Sequence, residues 1–346
     1  MQRSLRRTLL IGFAVPFVAA AVLVAVHVVF WRGAENPLVV YCAHDSVYSE
    51  SVLDAFQERT GIRVAPRFDT EATKSLGLIE LLIREKDRPR ADVFWNNELL
   101  GTLRLKEEGV LAPYRGSGWE RIPREFTDPE GHWAGFGSRL RVWIVNTEAM
   151  QPTQEAVAAA LEGDLSKVTI AKPLYGTTRT QYTVLWHRWG AEKLKEWHQE
   201  WRRRGVREVM GNAQVKDLVA SGVCHMGLTD TDDFFLARDA GEPVEAVPVR
   251  LQDGSTICIP NTVCIIRGTD RPEAARRLVD YLLSEQCEVR LANARSRQVP
   301  LGPVPEASIP PEVQQLKRWA EDGVSLTDLG GARTECLAWL KEAYLE

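Results

Sequence analysis

"PLVVYCAHDSVYSESVLDAFQERTGIRVAPRFD", residues 37–69, decides the architecture. Its β-branched and aromatic start reads as a buried strand that ends in the polar pair His44–Asp45. Val47, Val52, Leu53 and Phe56 then recur close to helical spacing, and Gly61 stops the helix. "IRVAPRFD" is the next strand, "TKSLGLIELLIREKDRP" (73–89) the next helix and "ADVFWNN" (91–97) a third strand. Strands alternating with helices imply a parallel sheet with crossover helices. In such sheets ligands sit beyond the carboxyl ends of the strands. The polar residues at those ends are His44 and Asp45, Asp69 and Thr70, and Asn96, Asn97 and Glu98.

Further along, "RLRVWIVNT" (139–147) reads as a long strand leading away from this first unit. Alternation then resumes: strand "KVTIAKP" (167–173), a Gly/Thr loop opening the helix "YGTTRTQYTVLWHRWG" (175–190), and charged helix "AEKLKEWHQEWRRRG" (191–205). Helix "NAQVKDLVASG" (212–222), strand "VCHMGLT" (223–229) and helix start "DTDDFFLARDAG" (230–241) follow. "VEAVPVR" (244–250) and "STICIPNTVCIIRG" (255–268) are return strands, and the tail carries an amphipathic helix, Pro-rich loops and one or two more helices. The expectation is an α/β chain with two lobes, each a sheet with flanking helices, joined by hinge strands at 139–146 and 244–250. Residues 37–138 with 251–346 make the first lobe, residues 139–250 the second, and residues 1–36 a leader and linker.

The leader is Arg3, Arg6 and Arg7 followed by Leu9–Phe30, which carries no charge and only His27 as a titratable group. As a helix it would be about 33 Å long, enough to cross a bilayer core. Basic residues ahead of it favour sending the following chain outside. Either an uncleaved signal-anchor or a cleaved signal peptide fits; no lipobox cysteine follows the run, and Arg6–Arg7 is a weak match to a twin-arginine signal.

Hydrophobic residues at 45% and charged residues at 26% describe a packed globular protein. The net charge is −4, and removing the leader's arginines deepens it, which argues against nucleic acid as a partner. Six cysteines (42, 224, 258, 264, 287, 336) contain no CxxC or zinc spacing. They read either as small buried hydrophobes or, in an exported chain, as disulfide partners.

Asp230, Asp232 and Asp233 admit two readings: helix capping, or facing a ligand at the mouth of a cleft. Phe234 and Phe235 read as core. "YGTTRT" places Gly176, Thr177 and Thr178 at a helix N-terminus, which offers unpaired N–H groups to an anion or is an ordinary turn. Arg141 reads as a hinge-strand residue rather than a contact. His187 and His198 fall on charged helices and read as solvated. The motifs HExxH and GxSxG and a convincing Cys-His-Asp order are absent, so an enzyme such as a metal-dependent hydrolase is the weakest class.

The stretches "VVYCAHDSVYSESVLDAFQERTGIRV", "ADVFWNNELLGTLRLKEEGVLAPY", "IPREFTDPEGHWAGFGSRLRVWIVNT", "AKPLYGTTRT", "MGNAQVKDLVASGVCHMGLTDTDD" and "IPNTVCIIRGTDRPEAARRLVDYLLSEQ" run in order across roughly residues 38–300. Together they resemble the periplasmic solute-binding proteins of ABC importers, in particular the ferric-iron-binding class. The resemblance implies a two-lobed type II periplasmic-binding-protein fold that closes on a ligand by hinge motion. It implies delivery to a membrane permease and its ATPase, a monomer, and an extracytoplasmic location. It places Asp45 where iron-binding relatives carry a His, with His44 just before it. Glu98, or its neighbour Asn97, falls at the carboxylate, and Asp232 and Asp233 at the usual tyrosine pair. Ferric iron or another cation, held by Asp45, Glu98, Asp232 and Asp233 with His44 as an addition, is therefore the first expectation. A companion anion falls to Gly176, Thr177, Thr178 and Asn212, with Ser138 and Arg139 to add a charge. A phosphate- or phosphonate-bearing small molecule at that loop, or a polyamine against the aspartates, is the alternative.

Overall fold

The computed structural model describes residues 36–69 and 76–345. The apolar leader and Thr70 lie outside the described residues. Within them no helix is long and apolar enough to cross a membrane.

The first half of the chain holds β1 (Leu38–Cys42), α1 (Ser46–Thr60), β2 (Val64–Phe68), α2 (Leu76–Arg84), β3 (Val93–Asn96), α3 (Leu100–Glu107) and β4 (Leu111–Ala112). The long β5 (Ala134–Asn146) leads to α4 (Gln154–Glu162), β6 (Val168–Ala171), α5 (Gly176–Trp189), α6 (Ala191–Arg203) and β7 (Arg207–Val209). α7 (Asn212–Ala220), β8 (Met226–Asp230), α8 (Thr231–Asp239), β9 (Val244–Pro248) and β10 (Cys258–Ile266) follow. Helices α9 (Pro272–Leu282), α10 (Glu285–Asn293), α11 (Pro311–Ala320) and α12 (Ala332–Leu345) close the chain.

β1 pairs in parallel with β2 on one side and β3 on the other, as the opening alternation requires. α1 buries Tyr48, Ser49, Val52, Leu53 and Phe56 on one face. Gly61 ends it at φ 72°, a conformation a side chain would strain, with its N–H on Gln57 O. Leu38, Val40, Phe56, Trp95 and Leu278 pack on one side of this half of the sheet, and Val142, Ile144, Val215 and Phe235 build the equivalent core in the second half. Each such side chain contributes about 1.5–3 kcal/mol by leaving water.

The two expected sheets share β5, so hydrogen-bonded neighbours run in one path through both: β2-β1-β3-β10-β5-β8-β6-β7, with β4 on β10 and β9 on β5. The reason is the length of β5. Its 13 residues are all buried, and they pair with β10 from Ala134 to Leu140, then with β8 from Arg141 to Val145. One strand thus serves as a rib of both halves. It starts ahead of Arg139 because "AGFGS", loop-like in composition, is strand here. Gly137 takes φ 45° opposite the register shift at Pro260/Asn261, and Asn261 Nδ2 donates to its carbonyl at 2.6 Å.

All six cysteines are free and buried, the small-hydrophobe reading rather than the disulfide one. His187 is exposed, but His198 is buried at 2% exposure, which corrects its placement in solvent. α6 turns Leu194, His198 and Trp201 inward together, and α12 covers them from outside, bringing Tyr344 Oη to 2.9 Å from His198 Nε2.

Candidate functional site

The carboxyl ends of β1, β2, β3, β6 and β8 converge on a cleft of about 390 Å³. One wall is the start of α1, with His44, Asp45 and Tyr48, joined by Asp69 after β2 and Asn97 after β3. The other is the start of α5 (Gly176, Thr177, Thr178), Asn212 at the start of α7, and the β8–α8 junction with Asp230, Asp232 and Asp233. Arg139 of β5 forms part of the lining between them. Of the predicted residues, His44, Asp45, Arg139, Gly176, Thr177, Thr178, Asn212, Asp232 and Asp233 all line this cleft.

Glu98 does not, and its assignment as a cation ligand is corrected. Its side chain is fully buried, with Oε2 accepting from Leu100 N at 2.6 Å and Oε1 from Gly101 N at 2.8 Å at the start of α3. Arg179 Nη2 adds a donor at 3.0 Å, with Thr180 Oγ1 and Asn96 Nδ2 farther out at 3.4 and 3.5 Å. This carboxylate is a helix cap and ion-pair partner, turned away from the cleft.

The three aspartates at the β8–α8 junction have separate surroundings. Asp230 occupies the N-cap position of α8, yet its side chain makes no capping bond. It accepts from Arg141 Nη1 at 2.7 Å, Thr177 Oγ1 at 2.6 Å, Asn212 Nδ2 at 2.9 Å and Arg139 Nε at 3.3 Å. Burial alone would raise its pKa, but Arg141 and Arg139 outweigh burial and hold it below the usual carboxylate range. Asp232 is buried too, and burial pushes it up to about 6 against the pull of Arg139, with Asp230 and Asp45 adding repulsion. Its Oδ1 accepts from Asp233 N at 3.1 Å. Half-buried Asp233 accepts from Thr229 Oγ1 at 3.0 Å. One carboxylate oxygen from each of the three lies within 4.8 Å of the others.

Arg141 is fully buried and does not line the cleft; it anchors Asp230 from behind and also donates to Gln181 Oε1 at 2.9 Å. Arg139 donates Nη2 to Asn97 O at 2.7 Å, while its buried Nη1 has no hydrogen-bond partner. No side chain caps α5, so its first N–H groups face the cleft beside Thr178 Oγ1, which donates to Asn212 Oδ1 at 3.2 Å. His44 is buried with its ring stacked on Trp95, centroids 5.6 Å apart.

Tyr48, absent from the sequence-derived set, lines the cleft at 4% exposure. Burial first, then the carboxylates of Asp232, Asp233 and Asp45, raise its phenol well above the ordinary value. The signal for it is modest: a tyrosine three residues after Asp45, one helical turn along the same face. Lys172, at the end of β6, also lines the cleft. The site therefore offers hard oxygen donors from both walls, with one carboxylate already neutralised by two arginines and an uncapped helix N-terminus alongside.

The family of bacterial extracellular solute-binding proteins matches residues 38–292. The chain belongs to that family. Among relatives of this solute-binding protein is iron uptake protein A1 of Synechocystis sp., 22% identical over 329 residues, covering 90% of this chain and 88% of the relative. In fold it is similar to iron-bound HitA of Pseudomonas aeruginosa (TM-score 0.75, 21% identity, 89% of this chain and 99% of that one). It is also similar to the periplasmic binding protein AfuA of Actinobacillus pleuropneumoniae, solved with fructose-6-phosphate (TM-score 0.73, 19% identity, 88% and 98%). The solute-binding protein shares with these the two-lobed type II fold.

Proposed function

We propose that this solute-binding protein is the extracytoplasmic receptor of an ABC importer and closes two lobes on a cation, ferric iron first, for delivery to a permease and its ATPase. The observation that carries the reading is the convergence of Asp45 from one wall with Asp232 and Asp233 from the other, while Asp230 is held by Arg139 and Arg141. Asp230 and Asp45 repel the buried Asp232, which Arg139 offsets only in part from 3.8 Å, and a cation in the cleft would relieve that crowding. Tyr48 adds a phenol oxygen to the set, and the start of α5 with Asn212 takes the companion anion. The names of iron uptake protein A1 and iron-bound HitA support the choice of iron. Residues 37–138 with 251–346 form one lobe and residues 139–250 the other. The protein is a monomer exported by its N-terminal segment, and its role is binding rather than catalysis.

A second reading rests on the unpartnered Arg139 Nη1 and the uncapped α5: a phosphate-bearing small molecule, supported by the sugar phosphate bound to AfuA. The test is calorimetric titration of the stripped protein with ferric nitrilotriacetate, with and without phosphate, and with hexose phosphates. Under the cation reading, Asp232→Asn with Asp233→Asn abolishes iron binding. Unchanged iron binding in that double variant overturns it. Under the phosphate reading, Thr177→Val and Asn212→Leu remove hexose-phosphate binding and the aspartate variants leave it.

A further inference from the structure

A second cavity of about 390 Å³ shares no lining residue with the cleft. It lies between α2 and α3 on one side and α12 on the other, with Arg179 of α5 also in its lining. The α12 wall lies beyond residue 292, where the family match ends. We infer that this groove is a second ligand site, for a small amphipathic anion with an acidic head and a short hydrocarbon body. The inference does not rest on the reading of the cleft.

The charge comes first. Arg104, Arg179, Arg333 and Lys341 line the groove against only Glu107 and Glu108. Arg104 is held by Glu80 and Arg333 by Glu107, whereas Lys341 forms no ion pair among the described residues. Arg179 is the deepest of the four at 4% exposure. Its Nη2 is spent on Glu98, but its buried Nε has no hydrogen-bond partner. The groove's lining thus includes a buried guanidinium, whose charge favours an acidic head group over a cationic one.

The rest of the lining is apolar. Ile79 and Leu100 are buried at the base, with Leu337 and Ala338 of α12 opposite them. The volume falls within the usual range for small-molecule sites, about 300–1,000 Å³, and suits a compact molecule rather than a peptide. A basic rim with an apolar base disfavours a metal ion, and the apolar base offers inorganic phosphate no partner. A bound molecule would touch α3 on one side and α12, packed on α5, on the other.

The experiment is titration calorimetry on the full chain held in phospholipid nanodiscs. Hexanoate and hexyl phosphate are run beside acetate and hexylammonium. Saturable one-to-one binding of either six-carbon anion, with none of acetate or hexylammonium, supports the site and names its head group. Ala338→Trp, which adds bulk to the α12 wall of the groove, is expected to abolish that binding. Lys341→Glu is expected to weaken it at least tenfold. Asp232→Asn with Asp233→Asn leaves it unchanged, which separates this groove from the cleft. Circular dichroism and thermal unfolding verify that each variant is folded. Absence of saturable binding by both anions, equal binding by hexylammonium, or binding that survives Ala338→Trp would overturn the proposal.

Discussion

Asp230 stands at the mouth of the cleft, and four donors already occupy its oxygens. Its contribution is to hold two buried guanidinium groups, Arg139 and Arg141, at one place on β5. Replacing it with Asn leaves Arg141 without a counter-ion and Arg139 with only the longer contact to Asp232 at 3.8 Å, so Asp230→Asn should cost about 3–5 kcal/mol of stability in urea unfolding. A loss under 1 kcal/mol would mean that the arginines find other partners. The sequence shows three aspartates of the same kind, because what separates them lies 91 and 89 positions away, at Arg139 and Arg141. A usable clue was present: two arginines two apart on a strand share one face, and a buried face with two charges demands an anion. Glu98 looks like a cleft carboxylate in the sequence for the same reason, since its partner Arg179 is 81 positions distant.

At the scale of elements, α6 and α12 meet around His198. Tyr182 Oη lies 3.0 Å from its Nδ1 and Tyr344 Oη 2.9 Å from its Nε2. Burial lowers its pKa to about 4, opposed by Glu208 and assisted by Arg202. The unfolded chain binds this proton near pH 6.5 and the folded chain only near 4. The stabilisation is therefore complete above pH 6.5 and is lost as pH falls toward 4. Between pH 7 and pH 5 this single group should remove about 2 kcal/mol, read as the fall in unfolding free energy that is absent in His198→Gln. An equal fall in wild type and variant would refute the assignment. Here the sequence pattern itself is legible. Leu194, His198 and Trp201 follow the helical stripe of a buried face, although most residues around them are charged.

For the whole molecule, the alternation of strands and helices was readable because parallel sheets need crossovers, and each crossover leaves a periodicity in the chain. Continuity of the sheet was not, since pairing along β5 depends on β8, β9 and β10, all placed by distant sequence. The same whole-chain packing determines the state of the cysteines. Burial pushes Cys258 up to about 11 and Cys42 and Cys336 up to about 12, and raises Cys224, Cys264 and Cys287 as well. Thiols held in that form are poor nucleophiles and poor exchange partners. Thermal unfolding should therefore give the same midpoint with and without a strong reductant, and a lower midpoint in reductant would reveal a cross-link. Exported chains commonly gain strength from oxidation after they cross the membrane, but this fold holds its cysteines as hydrocarbon-like packing. In this fold the six thiols fill space in the core as a methyl group would, and add nothing that a reductant could remove.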